Sequence, residues 1–359
     1  MEVVSSSSSS AHLQLVAAAL TSLIPGSKVI TKDDPLYTTL EDPKPLTYEI
    51  LHKNLIVESR PEPNPGLVTQ IDELSSTATP KKNFTTITVR LLNGQSHKFS
   101  VDPRATVYGL KWSIFKSKGL DEYSQYDVNN IVLTFGRKEL NDDDQLLRDY
   151  VWNQRWLCFK LRGAGGPTII VFSEDLLDPE FDHDFTNECD TGRVYHRSQS
   201  QGFYYPYKRP YGWKRLALKV KGKYPPDDTW LGTLVAGSER TENSKGEWPV
   251  SYQGTGREGA IAIAAVGYHE DKLNSKNFGR GIYSTPSVKV ASDFAQRFDH
   301  TDGKRYEAII QNRVNLNPGH SEIIPVEKTQ HGAEYYLTYS SDDLRPYRTC
   351  IREVKAISA

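Results

Sequence analysis

The stretch Phe84-Thr85-Thr86-Ile87-Thr88-Val89-Arg90-Leu91-Leu92-Asn93-Gly94 alternates polar and apolar side chains, the pattern of a strand with one face buried. It ends in Asn-Gly, a favoured two-residue hairpin turn because both residues tolerate positive φ. A second alternating run, residues 97–101, pairs naturally with the first. Asp102-Pro103 then opens a helix in which Val107, Leu110, Ile114 and Phe115 share one face, with Gly119 as its C-cap. Residues 131–135 and 156–161 read as two further strands.

Hairpin, helix, strand, strand is the β-grasp order, and the residues sharpen it. Residues 84–92 with Asn93-Gly94, then Asp102-Pro103, residues 134–142 and Leu161-Arg162-Gly163-Ala164-Gly165-Gly166 together resemble ubiquitin over about 80 residues. Thr134 stands where ubiquitin has the central apolar residue of its recognition patch, and Ala164 is an extra residue before the di-glycine. The di-glycine has two readings. A processing enzyme could cut after Gly166, or the domain could be permanently attached. Pro167 follows, and its tertiary amide favours permanent attachment.

Composition bounds the rest. In 359 residues, 44 basic and 45 acidic side chains leave a formal charge of −1, without the basic excess of a phosphate-backbone binder, so nucleic acid is not the expected partner. Cys158, Cys189 and Cys350 are far apart and lack C-x-x-C spacing, so neither a zinc site nor a disulfide framework is expected, and a reducing compartment, cytoplasmic or nuclear, is. Hydrophobic residues at 37% lie somewhat below the globular average, and residues 1–82 read as the part that does not pack. Ser5 to Ser10, Asp33-Asp34-Pro35 and Pro61, Pro63 and Pro65 punctuate this tail. Its apolar stretch, residues 13–25, is too short to span a bilayer and lacks the basic opening of a secretory signal. A short amphipathic helix, a disordered patch or a docking motif are its three readings.

Beyond the ubiquitin-like segment (residues 83–166), residues 167–209 read as an irregular bridge, although residues 168–172 and 215–220 have strand character. Tyr204, Tyr205, Tyr207, Tyr211, Trp213 and Trp230 lie among Lys and Arg. They either stack bases or build a small core.

Three segments of the last third carry chemistry. Trp248-Pro249-Val250-Ser251-Tyr252-Gln253-Gly254-Thr255 runs an apolar strand into a glycine, where backbone or ligand can approach closely, and residues 258–266 read as a helix. Phe278-Gly279-Arg280-Gly281-Ile282-Tyr283-Ser284-Thr285-Pro286 leads into a helix bearing Val288, Ala291, Phe294, Ala295 and Phe298. Gly332-Ala333-Glu334-Tyr335-Tyr336-Leu337-Thr338-Tyr339 is an aromatic strand headed by one carboxylate. Singly, each is commonplace: a turn, a buried tyrosine, a solvated charge. In this order, Gln253-Gly254-Thr255, Gly281-Ile282-Tyr283 and Glu334 resemble the diphtheria-toxin-like, poly(ADP-ribose) polymerase-like branch of ADP-ribosyltransferases.

That resemblance implies an α+β chain in which a β-grasp domain precedes a split-β-sheet catalytic domain over residues 210–359. It implies NAD as co-substrate and a protein as acceptor of a single ADP-ribose. Gly254 would meet the carboxamide of nicotinamide, Tyr283 and Phe294 would stack on its ring, and Glu334 would stabilise the positive charge developing on the ribose. Gln253 replaces the usual histidine that holds the adenosine ribose, and its amide can also donate and accept. Ala291 replaces a serine that contacts the carboxamide, with Ser292 adjacent. Ubiquitin-pathway proteins are the expected partners, and neither metal nor membrane is expected. The rivals are an inactive NAD or ADP-ribose binder and a non-enzymatic scaffold.

Overall fold

A computed structural model describes residues 3–24, 26–56, 63–71, 83–91, 94–117, 128, 131–151, 156–161, 167–192, 197–200, 203–232, 244–254, 281–329 and 331–354. The chain divides into two units, one of residues 62–167 and one of residues 1–61 together with 168–359.

The N-terminal segment is not an unpacked tail. Helix α1 (Val3–Leu23) puts Val16, Leu20 and Leu23 into a core shared with Leu216, Ile310, Val314, Tyr347 and Ile351. Positions 13, 16, 20 and 23 are one helical face, and the serine run ahead of them hid that period. Gly26, at φ 72°, turns the chain into strand β1 (Ser27–Ile30). Helix α2 (Tyr48–Leu55) is capped by Thr47, whose hydroxyl accepts from the Ile50 N–H, and buries Tyr48, Leu51 and Leu55. The Tyr48 hydroxyl reaches the hydroxyl of Tyr224 at 2.7 Å, and the His52 ring bonds the same hydroxyl.

The unit of residues 62–167 contains β2 (Val68–Ile71), β3 (Thr85–Arg90), β4 (Ser96–Val101), α3 (Val107–Phe115), β5 (Ile131–Phe135), β6 (Lys138–Glu139), α4 (Leu147–Val151) and β7 (Trp156–Leu161). Its sheet runs β2-β4-β3-β7-β5-β6, with β3 and β4 an antiparallel hairpin and β3 parallel to β7. Ile87, Val89, Phe99, Val101, Leu110, Ile114, Leu133, Leu157 and Phe159 are among its buried residues. Gly94 has φ 83°, as the hairpin turn requires. The helix starts later than expected. Thr106 is its N-cap, accepting from the Gly109 N–H, while Asp102 ties down Arg104. Strand β2, which pairs with β4, comes from the expected tail. Gly119, Asn93 and the di-glycine lie outside the described residues.

Strand β8 (Thr168–Val171) resumes the other unit by pairing in parallel with β1, Ser27 opposite Thr168. The expected irregular bridge therefore contains β8, β9 (His183–Asp184) and the hairpin of β10 (Arg197–Ser200) and β11 (Phe203–Pro206). There follow β12 (Lys214–Ala217), β13 (Val250–Gly254), β14 (Ile282–Ser284), α5 (Val288–Asp293), β15 (Gln296–Asp299), β16 (Arg305–Val314), β17 (Ser321–Ile324), β18 (Tyr335–Thr338) and β19 (Leu344–Glu353). One sheet orders as β13-β16-β19-β12-β9 with β15 also on β16, and a second as β14-β18-β17. Tyr207, Trp213 and Trp230 are buried in this unit, so these aromatics build core. The helix expected at residues 258–266 lies outside the described residues.

Candidate functional site

Among the described residues the six-stranded and three-stranded sheets of this unit are joined by the bridge of Tyr252 and Thr285. The Tyr252 N–H donates to the Thr285 carbonyl at 2.7 Å, and the Thr285 N–H returns the bond at 2.9 Å. The Thr285 hydroxyl then donates to the Glu334 carbonyl at 2.9 Å. One threonine thus fastens together the three segments singled out in the sequence.

Around this junction lies a narrow cleft with about 10 Å³ of free space, partly open to solvent, lined by Tyr252, Gln253, Gly254, Tyr283, Ser284, Thr285, Ala291 and Phe294. Tyr283 is 1% exposed and packs with Val290, Ile324, Tyr335 and Leu337, with Phe294 against the same cluster. Burial raises the Tyr283 hydroxyl above the usual phenol range, with Glu322 and Tyr339 adding to the shift, so this ring acts as a neutral wall. Phe294 is held edge-on by His331, ring centroids 5.1 Å apart.

Two polar atoms of cleft-lining residues, Gln253 Oε1 and Ser284 Oγ, are buried without a hydrogen-bond partner. A buried acceptor left unpaired costs about 1–3 kcal/mol. Ser284 and Thr285 are the residues the sequence reading passed over. They stood within its second motif as ordinary polar positions.

Other expected residues fall differently. A Cβ on Gly254 would sit 2.2 Å from the Ala291 carbonyl oxygen and 2.8 Å from Phe294, so this glycine lets α5 approach β13. Gly254→Ala is expected to push α5 off the strand at a cost of about 1–3 kcal/mol, read as a lower thermal midpoint of the whole chain. An unchanged midpoint would mean that α5 yields freely. Ser292 does not line the cleft. Its hydroxyl donates to Glu307 at 3.0 Å and accepts from Arg352 at 2.8 Å, while Ala291 faces the cleft. Thr255 lies outside the described residues.

Glu334 is half-buried at the head of β18 and is not among the residues lining the cleft. The nearby carboxylate contributes to raising the Tyr205 and Tyr336 hydroxyls, in each case after burial. Tyr205 stands on β11 and Tyr336 on β18, their rings edge to face at 6.4 Å. Among the described residues no group of His, Cys, Asp or Glu is arranged to hold a metal, and no helix is long and apolar enough to cross a membrane.

Residues 87–154 match the model of the ubiquitin family. Together with the β-grasp sheet this places a ubiquitin-like domain within residues 62–167. Among solved structures, the ubl5 domain from the polyubiquitin locus of T. thermophila is 22% identical, matching 21% of this chain and 91% of its own, with a TM-score of 0.18. The N-terminal ubiquitin-like domain of the 4931431F19Rik protein is also 22% identical, matching 26% of this chain and 90% of its own, with a TM-score of 0.19. Among curated proteins none matches this chain.

Proposed function

We propose that the unit of residues 1–61 and 168–359 is an NAD-dependent mono-ADP-ribosyltransferase acting on a protein. In this reading the ubiquitin-like domain recruits proteins of the ubiquitin pathway, raising their local concentration at the site. The observation that carries it is the cleft itself. A buried amide oxygen on Gln253 and a buried hydroxyl on Ser284, both unpartnered, share it with the rings of Tyr283 and Phe294. Aromatic walls with a few convergent polar groups suit a flat ring carrying a carboxamide.

NAD, when bound, supplies the glycosidic bond to be broken. Tyr283 and Phe294 hold the nicotinamide ring, and Ser284 and Gln253 offer hydrogen bonds to its carboxamide or the ribose hydroxyls. Glu334 lies one residue before β18, tied by its carbonyl to the cleft residue Thr285, and in this reading its carboxylate faces the ribose. Its charge opposes the positive charge that grows as the bond to nicotinamide lengthens. The nicotinamide nitrogen keeps the bonding pair, the acceptor side chain forms the new bond to the ribose, and its proton passes to solvent.

A second reading has a specific observation in its favour. Gly254 is occupied by packing, and Glu334 stands outside the cleft lining, as in a protein that binds NAD or ADP-ribose without catalysis. Nicotinamide release from NAD by the full chain, with Glu334→Ala beside it, decides between them. Release that disappears in the variant supports the transferase, and NAD binding without release supports the binder.

Gln253→His is expected to tighten NAD binding by up to about tenfold, the worth of one improved hydrogen bond of about 0.5–1.5 kcal/mol. Gln253→Ala should weaken it. Equal dissociation constants for Gln, His and Ala would remove residue 253 from the site.

A further inference from the structure

The antiparallel register of β12 and β19 sets Arg215 opposite Cys350 and Ala217 opposite Arg348. The two arginines are therefore diagonal neighbours on one face of the sheet. Their hydrogen bonds go to phenols. Arg215 Nη1 donates to the Tyr207 hydroxyl at 3.1 Å, and Arg348 Nη1 to the Tyr347 hydroxyl at 3.2 Å. The Nε of each is buried without a partner.

Each guanidinium also lies over a ring, Arg215 over Phe185 at 5.0 Å and Arg348 over Tyr347 at 4.5 Å, so what sets the pair apart from Arg313 and Arg352 is the missing carboxylate. Arg313 meets Glu247 at 2.7 Å, and Arg352 pairs with Glu307. Arg345 is met by the carbonyls of Asp342 and Pro225 and by the rings of Tyr224, Trp230 and Trp248. Arg215 and Arg348 have no carboxylate in ion-pair contact among the described residues. Asp182, a carboxyl that both arginines influence, accepts the Ala217 N–H at 2.7 Å, and burial raises it against the pull of Lys214, Arg215 and Arg348. Enclosing two like charges without a counter-ion is costly.

Neither arginine is sealed off; both are half-buried. Arg348 lines a narrow cleft with about 10 Å³ of free space, partly open to solvent, together with Lys221, Tyr347 and Asp178, and Arg215 lies behind it, opposite Cys350 on the neighbouring strand. We infer that Arg215 and Arg348 form a binding site for a small phosphate-bearing anion, separate from the cleft at Tyr283. Planar guanidinium forks match the oxygens of a phosphate, which supplies the missing negative charge. Burial and the neighbouring Arg215 both depress the Arg348 ionisation, and an anion between them would reverse that.

The test uses the full chain at fixed ionic strength, with chloride exchanged for inorganic phosphate or pyrophosphate. Phosphorus NMR line widths and thermal midpoints are the readouts. Binding that saturates in the millimolar range is expected, and pyrophosphate binding more tightly than phosphate would identify a diphosphate ligand. Arg348→Met should weaken either by about tenfold or more, the loss of one charge-assisted pair. Should that variant fail to fold, Arg348→Lys, which keeps the charge and loses the fork, should still bind more weakly than the parent. Equal line widths and midpoints in chloride and phosphate would overturn the site. So would a tyrosinate absorbance band near neutral pH that is lost in Tyr207→Phe and unchanged by phosphate, because the counter-charge would then be internal.

Discussion

Removing residues 1–61 is expected to unfold the unit that carries the cleft. Val16, Leu20, Leu23, Ile24, Leu51 and Leu55 are all buried in the core that also holds Leu216, Ile310 and Tyr347. Truncating one such leucine to alanine costs about 2–5 kcal/mol, against a whole-domain stability of about 5–15 kcal/mol. Losing six together, along with the β1 partner of β8, exceeds what the unit can spare. The measurement is a circular-dichroism melt of the full chain, of the deletion and of Leu20→Ala. A deletion that melts cooperatively at the parent midpoint would sink the claim.

The same packing changes what a cut after the di-glycine could accomplish. The ubiquitin-like domain is an insertion, preceded by β1 and followed by β8, which pair with each other. Proteolysis at a site engineered into residues 162–167 would leave the domain covalently joined to residues 1–61, and those remain folded into the rest of the unit. Both fragments are therefore expected to co-elute on gel filtration in native buffer and to separate only in denaturant. The natural Gly166-Pro167 bond should in addition resist ubiquitin-processing proteases, because its proline amide is conformationally restricted. A freely eluting fragment of residues 1–166 would revive the releasable modifier.

What the sequence made legible follows from the range of the forces involved. The hairpin at residues 84–101 was readable because alternation and the Asn-Gly turn are local signals. Helix α1 was not, because short apolar side chains among serines and alanines become a face only when a partner core buries them. The cleft was half legible. Gln253, Gly254, Tyr283 and Phe294 lie together, but which side of α5 faces inward depends on helix rotation. A step of one residue, about 100°, turns Ser292 away to Glu307 and leaves Ala291 at the cleft. Thr285 carries no local signal at all. Its importance arises from joining Tyr252 and Glu334, residues 82 positions apart in the chain.

Glu334→Gln is expected to lower ADP-ribose transfer by about 10²–10³-fold while leaving NAD affinity nearly unchanged. The substitution keeps shape and hydrogen-bonding capacity and removes only the charge. Among the described residues its carboxylate makes no hydrogen bond or ion pair: the residue is held through its carbonyl by Thr285, and its side chain is half-buried at the strand head. Any stabilisation it gives the fold is thus small. Its effect should fall where charge develops, in the transition state and not in ground-state binding. Thermal midpoints with and without saturating NAD check the fold and the affinity, and nicotinamide release checks the chemistry. A variant that turns over like the parent would require another group to stabilise the ribose cation. A variant that loses NAD binding along with turnover would make Glu334 a ground-state ligand, consistent with the binder in place of the transferase.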